Sequence, residues 1–364
     1  MYEYTHGGNA AFECGNGGVI DLSASINPLG MPEGVRDAII REISNCEHYP
    51  DSFSRRLREK ISEFECVKPD CIFCGNGASD IIFRLPKAVQ AKKIMVTAPS
   101  FSDYDRSACS YGAEVIRYAL SPANSFDPDS GFVEAVRREM PDLVFVCNPN
   151  NPTGRLTGVK LIKELLDFCK GIGAWVAVDE CFLDFSEKAL EYTSKRFLEQ
   201  YSNLTILKAF TKLFALPGIR LGYAICADSA FVNNLYFHGT DWPVSSLAQA
   251  AGIAALKDAD RFIDITVSYV TAEREAINDE LTTLGFVVFE THANYVFFQN
   301  PYHFDLREQL NRLGIRIRSC DNFYGLDESY YRIAVSTKEN NMILLNAITE
   351  IVALRDHLPR KRTN

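Results

Sequence analysis

Lys212 lies in the run Phe210-Thr211-Lys212-Leu213-Phe214-Ala215-Leu216-Pro217-Gly218-Ile219-Arg220-Leu221-Gly222-Tyr223. It stands just after an apolar run, beside a hydroxyl residue and ahead of an arginine. That setting suits Schiff-base chemistry, which needs an amine held by a rigid element and kept partly neutral by burial. Thr211 and Arg220 can both grip a phosphate. In isolation the Thr-Lys pair says little, because a lysine at a strand end is more often solvated. A second run, Trp175-Val176-Ala177-Val178-Asp179-Glu180, ends in an acid. An Asp at the C-terminal end of a parallel strand sits where such sheets bind ligands. Against a pyridine nitrogen it would hold that nitrogen protonated and make the ring an electron sink; alone, it could equally cap the next turn. Third, in Cys74-Gly75-Asn76-Gly77-Ala78-Ser79-Asp80, glycines open a helix whose first N–H groups can hold an anion. A tight turn capped by Ser79 or Asp80 reads the same. Fourth is Cys147-Asn148-Pro149-Asn150-Asn151-Pro152-Thr153-Gly154, where Asn151 can bond a phenolic oxygen or merely belong to an Asn/Pro turn.

These residues need strand ends to hold them, and the pattern supplies them. Lys93 to Thr97, Asp142 to Cys147, Ala174 to Asp179, Thr205 to Lys208 and Leu221 to Cys226 read as buried strands. Helical periodicity lies between most of them, as in Val159 to Cys169, which implies an α/β fold with a mostly parallel sheet covered on both faces. After about residue 256 the pattern becomes α+β. A long helix (Ala259 to Leu284) and the segment Ala293 to Phe298 precede a helix near Leu306 to Leu313. Strands at Ile315 to Arg318 and Tyr331 to Val335 follow, then a helix striped by Leu344, Ala347, Ile348, Ile351 and Val352. The expected division is an N-terminal segment 1–44 packing with the small domain, a large domain 45–256 and a small domain 257–364.

The 364 residues exceed one small core, and 47% hydrophobic with 23% charged residues is ordinary for a soluble globular protein. No apolar run reaches bilayer length. The start, Met1 to His6, lacks a basic n-region and an apolar h-region, so no secretory signal is expected and a cytoplasmic location is. A net charge of −9 argues against a nucleic-acid partner, and Arg360-Lys361-Arg362 reads as a solvated tail. Eleven irregularly spaced cysteines suit reduced thiols. Cys71-Ile72-Phe73-Cys74 has no second pair at zinc spacing, so no metal site is expected.

Taken in order, the glycine loop, Asn-Asn-Pro-Thr-Gly, Val-Asp-Glu and Thr-Lys…Arg resemble the fold-type I pyridoxal 5'-phosphate enzymes of the class I/II aminotransferase group, from His6 to about Leu354. The resemblance implies pyridoxal 5'-phosphate as cofactor, with Lys212 as the Schiff-base lysine and Asp179 as partner of the ring nitrogen. Asn151 would face the phenolic oxygen, and Phe101 would stack on the ring. Ala78 and Ser79 N–H groups, Thr211 and Arg220 would hold the phosphate. Tyr49 would reach the phosphate of a second subunit, which implies a homodimer.

Finer features resemble the L-threonine-O-3-phosphate decarboxylase branch, the relative of histidinol-phosphate aminotransferase that serves cobalamin synthesis. They are His6-Gly7-Gly8-Asn9, Asp21 to Gly30, Ile317 to Asn322, Gly325-Leu326-Asp327 and Tyr330-Tyr331-Arg332. His6, Gly7, Asn27, Asn151, Arg318 and Arg332 would then form the substrate site. A substrate carrying a carboxylate and a phosphate needs two cationic groups, and two arginines on neighbouring strands can supply them; surface ion pairs are the competing reading for either. Phe182 stands where many aminotransferases place a tyrosine, although core packing explains a phenylalanine equally well. The implied activity is decarboxylation of a phosphorylated amino acid. The alternatives are an aminotransferase acting on histidinol phosphate or a similar amine and, from a different class, a non-catalytic regulator. A regulator would need an appended DNA-binding module; with the pattern starting almost at residue 1 and an acidic net charge, none is expected.

Overall fold

Apolar runs such as Leu143–Cys147 and Gly222–Cys226 are buried along their whole length, which requires cover on both faces of the sheet. The computed structural model describes residues 7, 8 and 18–354. After a short strand β1 (Ile20–Asp21), seven strands form the main sheet. They are β2 (Ile72–Gly75), β3 (Lys93–Ala98), β4 (Glu114–Ala119), β5 (Leu143–Cys147), β6 (Trp175–Asp179), β7 (Leu204–Ala209) and β8 (Gly222–Cys226), in the spatial order β2-β8-β7-β6-β5-β3-β4. Alternation along each strand sends side chains to opposite faces. Val144 and Val146 join one core cluster, whereas Leu143, Phe145 and Cys147 join another. The helix Val159–Ile172 covers the first face with Ile162, Leu165, Leu166 and Cys169. The helices Gly77–Ala88 and Ser229–Phe237 cover the second with Ile81, Ile82, Leu85, Phe231 and Leu235. Each such side chain contributes about 1.5–3 kcal/mol relative to exposure.

The expected α/β architecture is present, with two features the sequence pattern did not announce. Strand β4 is an edge strand whose residues are exposed or half-buried, so it lacks an apolar run. Strand β8 is antiparallel to both its neighbours, β2 and β7. Gly222 at its start pairs with Gly75 and Ala209 at their ends. The reversal therefore puts the beginning of β8 where the other strands finish.

The remaining strands are β9 (Val287–Phe289), β10 (Tyr295–Gln299), β11 (Ile315–Arg316), β12 (Arg318–Ser319) and β13 (Tyr330–Ala334). An antiparallel sheet runs β12-β13-β10-β9. The long helix Ala259–Thr283 falls within a residue of its expected span, and the striped residues Leu344 to Val352 lie in the last helix Lys338–Ala353. The expected single strand from Ile315 to Arg318 is instead broken at Ile317: β11 pairs in parallel with β1, and β12 joins the four-stranded sheet. Leu22 continues the N-terminal contact, donating to the Arg316 carbonyl at 2.8 Å and accepting from the Ala334 N–H at 2.9 Å. Among the described residues no helix is long and apolar enough to cross a membrane.

Candidate functional site

The strand ends and the start of β8 surround a cavity of about 750 Å³. Its lining includes Gly7, Asn27, Ala78, Ser79, Phe101, Asn151, Asp179, Thr211, Lys212, Arg220, Arg318 and Arg332. The sheet's direction explains the convergence, since loops leaving parallel strands gather on one edge. His6 lies outside the described residues. Tyr49 is not among the lining residues. It is 79% exposed and stacks on Trp242 at 4.3 Å between centroids.

Lys212 sits on the short helix Phe210–Leu213 that directly follows β7. Burial, then the charges of Arg332 and Arg220, push its amine down to about 8 against the opposing pull of Cys181 and Asp179. A neutral fraction is thus present near neutrality. Its Nζ lies 5.9 Å from the Phe182 ring centroid. Phe182 is buried and packs edge-on against Tyr295 at 5.3 Å.

Asp179, the last residue of β6, is buried. Burial raises its pKa, and hydrogen bonds from Cys181 and Tyr104 oppose the rise. The Cys181 N–H donates to Oδ1 at 3.0 Å and the Tyr104 hydroxyl to Oδ2 at 2.7 Å. Both oxygens are held, and the carboxylate cannot swing.

The helix Gly77–Ala88 begins without a side-chain cap, leaving its first N–H groups for another acceptor. Ser79 does not cap it, because its hydroxyl donates to Asp103 Oδ2 at 2.8 Å. Asp80 accepts from the Asn76 N–H at 3.1 Å. Gly77 has φ +78°, and a Cβ there would come within 2.8 Å of Arg220 Nη2. A Cβ on Gly222 would lie 2.5 Å from the Ala78 nitrogen. These two glycines let the guanidinium and the helix start approach each other. Arg220 itself holds φ 59°, a left-handed conformation that is costly for a residue other than glycine and is found repeatedly at functional sites.

Arg318 and Arg332 are direct cross-strand partners on β12 and β13, so their side chains share a face. Arg332 is buried, donates to Asn151 Oδ1 and to the Ser23 carbonyl (3.1 Å), and lies 5.0 Å from the Tyr295 ring centroid. Its Nε is buried without a partner. Arg318 donates to Asn322 Oδ1 at 2.7 Å and lies 5.2 Å from the Phe323 ring. Among the described residues neither arginine forms a salt bridge, and burial lowers the pKa of each. Arg332 is a buried cation with neutral partners, which is costly; an anionic ligand would complete it and the half-buried Arg318 beside it.

Asn27 reaches the cavity wall, but its amide is already committed. Nδ2 donates to the Leu213 carbonyl at 2.7 Å and to Thr266 Oγ1 at 2.9 Å, while Oδ1 accepts from the Leu29 N–H. It ties the N-terminal segment to the Lys212 turn. A Cβ on Gly7 would fall 2.4 Å from the Ser23 carbonyl oxygen, so that wall accepts only glycine. Cys71 is half-buried, and burial pushes the Cys74 thiol up to about 12.

Tyr104, Asp103, Ser23 and Tyr295 shape the site without having been singled out. Tyr104 and Asp103 sit on the helix Ser102–Tyr111, next to Phe101. Only the fold brings them to Asp179 and Ser79.

The chain matches the family described as aminotransferase class I and II over residues 17–348. It is 31% identical to threonine-phosphate decarboxylase of Salmonella typhimurium, over 97% of this chain and 98% of that protein. It is 32% identical to histidinol-phosphate aminotransferase of Caldanaerobacter subterraneus, over 91% and 93%. The crystal structure of histidinol-phosphate aminotransferase from Clostridium acetobutylicum superposes with a TM-score of 0.85 at 31% identity, covering 92% of this chain and 99% of that one. A lysine, an acid and three arginines gathered around one cavity, in a chain that matches such enzymes along almost its whole length, lead to one assignment: the chain belongs to the aminotransferase class I and II family, with pyridoxal 5'-phosphate as its cofactor.

Proposed function

We propose that the protein decarboxylates a phosphorylated amino acid of the O-phospho-L-threonine kind, with Lys212 as the amine that engages the cofactor. The donor set suits that group. The uncapped helix start at Ala78 and Ser79, with Thr211 and Arg220, would take its phosphate. Asp179, fixed through both oxygens, would face the ring nitrogen. Phe101 would lie against the ring and Asn151 beside its phenolic oxygen. The bound cofactor supplies an electron sink for the bond broken at the substrate Cα.

The chain's own residues decide which bond that is. Arg318 and Arg332 would hold the substrate's phosphate and carboxylate, and their grip sets the rotation about Cα. Gly7, which lines the cavity, and His6, its neighbour in the sequence, would complete this wall. Asn27 would hold the Lys212 turn. After CO2 departs, Lys212 Nζ would deliver the proton that replaces it at Cα. The observation that carries the reading is the buried Arg332 beside Arg318, each with neutral partners only.

A second reading, transamination of histidinol phosphate or a similar amine, is favoured by the comparable likeness to histidinol-phosphate aminotransferases. A single assay separates them. Given O-phospho-L-threonine without any 2-oxo acid, the enzyme is expected to release CO2 and accumulate 1-aminopropan-2-yl phosphate over many turnovers. An aminotransferase would halt after one half-reaction with the cofactor in its amine form, and that result overturns the proposal. Arg318→Ala and Arg332→Ala should each cost about 2–5 kcal/mol in kcat/KM, the loss typical of a desolvated charge partner. The same reading divides the chain at residues 1–44, 45–256 and 257–364, and takes the protein to be a cytoplasmic homodimer serving cobalamin synthesis. The dimer is supported by the exposed Tyr49, which lies outside its own chain's cavity.

A further inference from the structure

Beyond the main cavity lies a second hollow of about 370 Å³, between the edge of the main sheet and the turn after β12. Phe101 and Phe323 line both hollows, so these two rings form the partition. The segment that carries Phe323, residues 321–326, is held from two sides. Toward the cavity, Asn322 accepts from Arg318 at 2.7 Å and Phe323 lies under the same guanidinium. Toward the outside, the ring of Tyr324 lies 5.1 Å from the Arg117 guanidinium. Arg117 is fixed in turn by Asp105, with Nε at 2.8 Å and Nη2 at 2.7 Å. Arg117 belongs to β4 and Asp105 to the helix Ser102–Tyr111, so the outer anchor is part of the main-sheet layer.

We propose that Arg117 and Tyr324 form a latch that holds the 321–326 segment against the main sheet and thereby fixes Arg318 for substrate anion binding. Arg117 is on this view a positioning residue, acting through Tyr324, Phe323 and Asn322. The inference rests on the anion-binding role given to Arg318 above. The chemistry fits the task. Two guanidinium nitrogens of Arg117 converge on one Asp105 oxygen, Oδ2, which holds the group at the sheet edge, and an aromatic ring can pack against its face there. The neighbouring residues on the segment hold Arg318 the same way, by one hydrogen bond and one ring, so a displacement at Tyr324 is passed to the arginine through two adjoining positions.

Two measurements on the cofactor-loaded enzyme test this. Hydrogen–deuterium exchange reads the latch without reference to any substrate: Arg117→Ala and Tyr324→Ala should speed exchange in residues 321–326 and leave the strands of the main sheet unchanged. Steady-state kinetics with O-phospho-L-threonine reads its consequence. Each variant should raise KM about two- to fivefold, the factor equivalent to an exposed cation–π contact of about 0.5–1 kcal/mol, with kcat and the cofactor's absorption unchanged. In an Arg318→Ala background the same substitutions should add nothing. Unchanged exchange in the segment overturns the latch. An equal KM loss with Arg318 already removed overturns its action through that residue. If the wild type does not act on O-phospho-L-threonine while exchange responds as expected, the latch stands and the substrate assignment falls.

Discussion

A lysine amine near 8 has a definite kinetic signature. The neutral form attacks a carbonyl, so capture of pyridoxal 5'-phosphate by cofactor-free protein should quicken as pH rises to about 8 and level off above it. An unperturbed lysine would keep gaining to about 10.4. Since Arg332 is the largest charge contribution after burial, Arg332→Ala should move the break upward. Borohydride trapping followed by peptide mapping should label Lys212 alone, and Lys212→Ala should abolish the label while retaining loose cofactor binding. A label elsewhere removes Lys212 from its role. Tyr104 carries a second expectation. Its hydroxyl supports the ionised Asp179, and hydrogen bonds to charged groups contribute about 1.5–3 kcal/mol. Tyr104→Phe should raise the Asp179 pKa further and weaken cofactor retention about tenfold or more, measured by dialysis across pH. Unaltered retention would show that the Cys181 N–H suffices.

Among the elements, the helix start at Gly77 is where one methyl group should do most harm. Gly77→Ala meets Arg220 at 2.8 Å in a backbone conformation of φ +78°, costing about 1–2 kcal/mol for the backbone alone. Cofactor retention should fall and become more sensitive to competing inorganic phosphate; a variant with wild-type retention would deny the helix start its anion. This level also shows what the amino-acid pattern reveals. Lys212, Asp179 and Asn151 were legible because each follows an apolar run, and a strand end in an α/β pattern is a place as well as a type. Tyr104 was not, because its partner Asp179 is 75 positions away and nothing local couples them. The direction of β8 was equally silent: five buried residues read the same in either direction. Strand β4 failed for the opposite reason, having no buried face to give it a pattern. Asn27 lines the cavity, yet its amide is spent on ties to Leu213 and Thr266, far along the same chain, that composition does not record.

At the scale of the whole molecule, Tyr49, Phe237 and Leu190 are 79%, 81% and 87% exposed, a large apolar offering to water. If Tyr49 serves a neighbouring subunit's phosphate, inactive Tyr49→Ala and inactive Lys212→Ala chains, mixed, should form heterodimers that recover up to about one normal site, by the reciprocity of a two-fold interface. Heterodimers without recovery would return Tyr49 to its own chain's surface. The exchange also reports whether each cavity is complete in one polypeptide.

The reversed strand β8 has a further consequence, for synthesis on the ribosome. It enters last of the seven yet sits between β2 and β7, and β2 has no other neighbour in the sheet. Until residue 226 has emerged, the glycine loop after β2 has no strand beside it and no Arg220 against its helix. Arg318 and Arg332 follow about a hundred residues later, a long loop closure that makes the last wall a late event. A half-made chain therefore lacks Thr211, Lys212 and Arg220, and with them the amine and two of the groups proposed for the cofactor's phosphate. Because a ligand stabilises only the state that binds it, pyridoxal 5'-phosphate would stabilise a growing chain only once it has been made as far as β8, and the substrate only after β13.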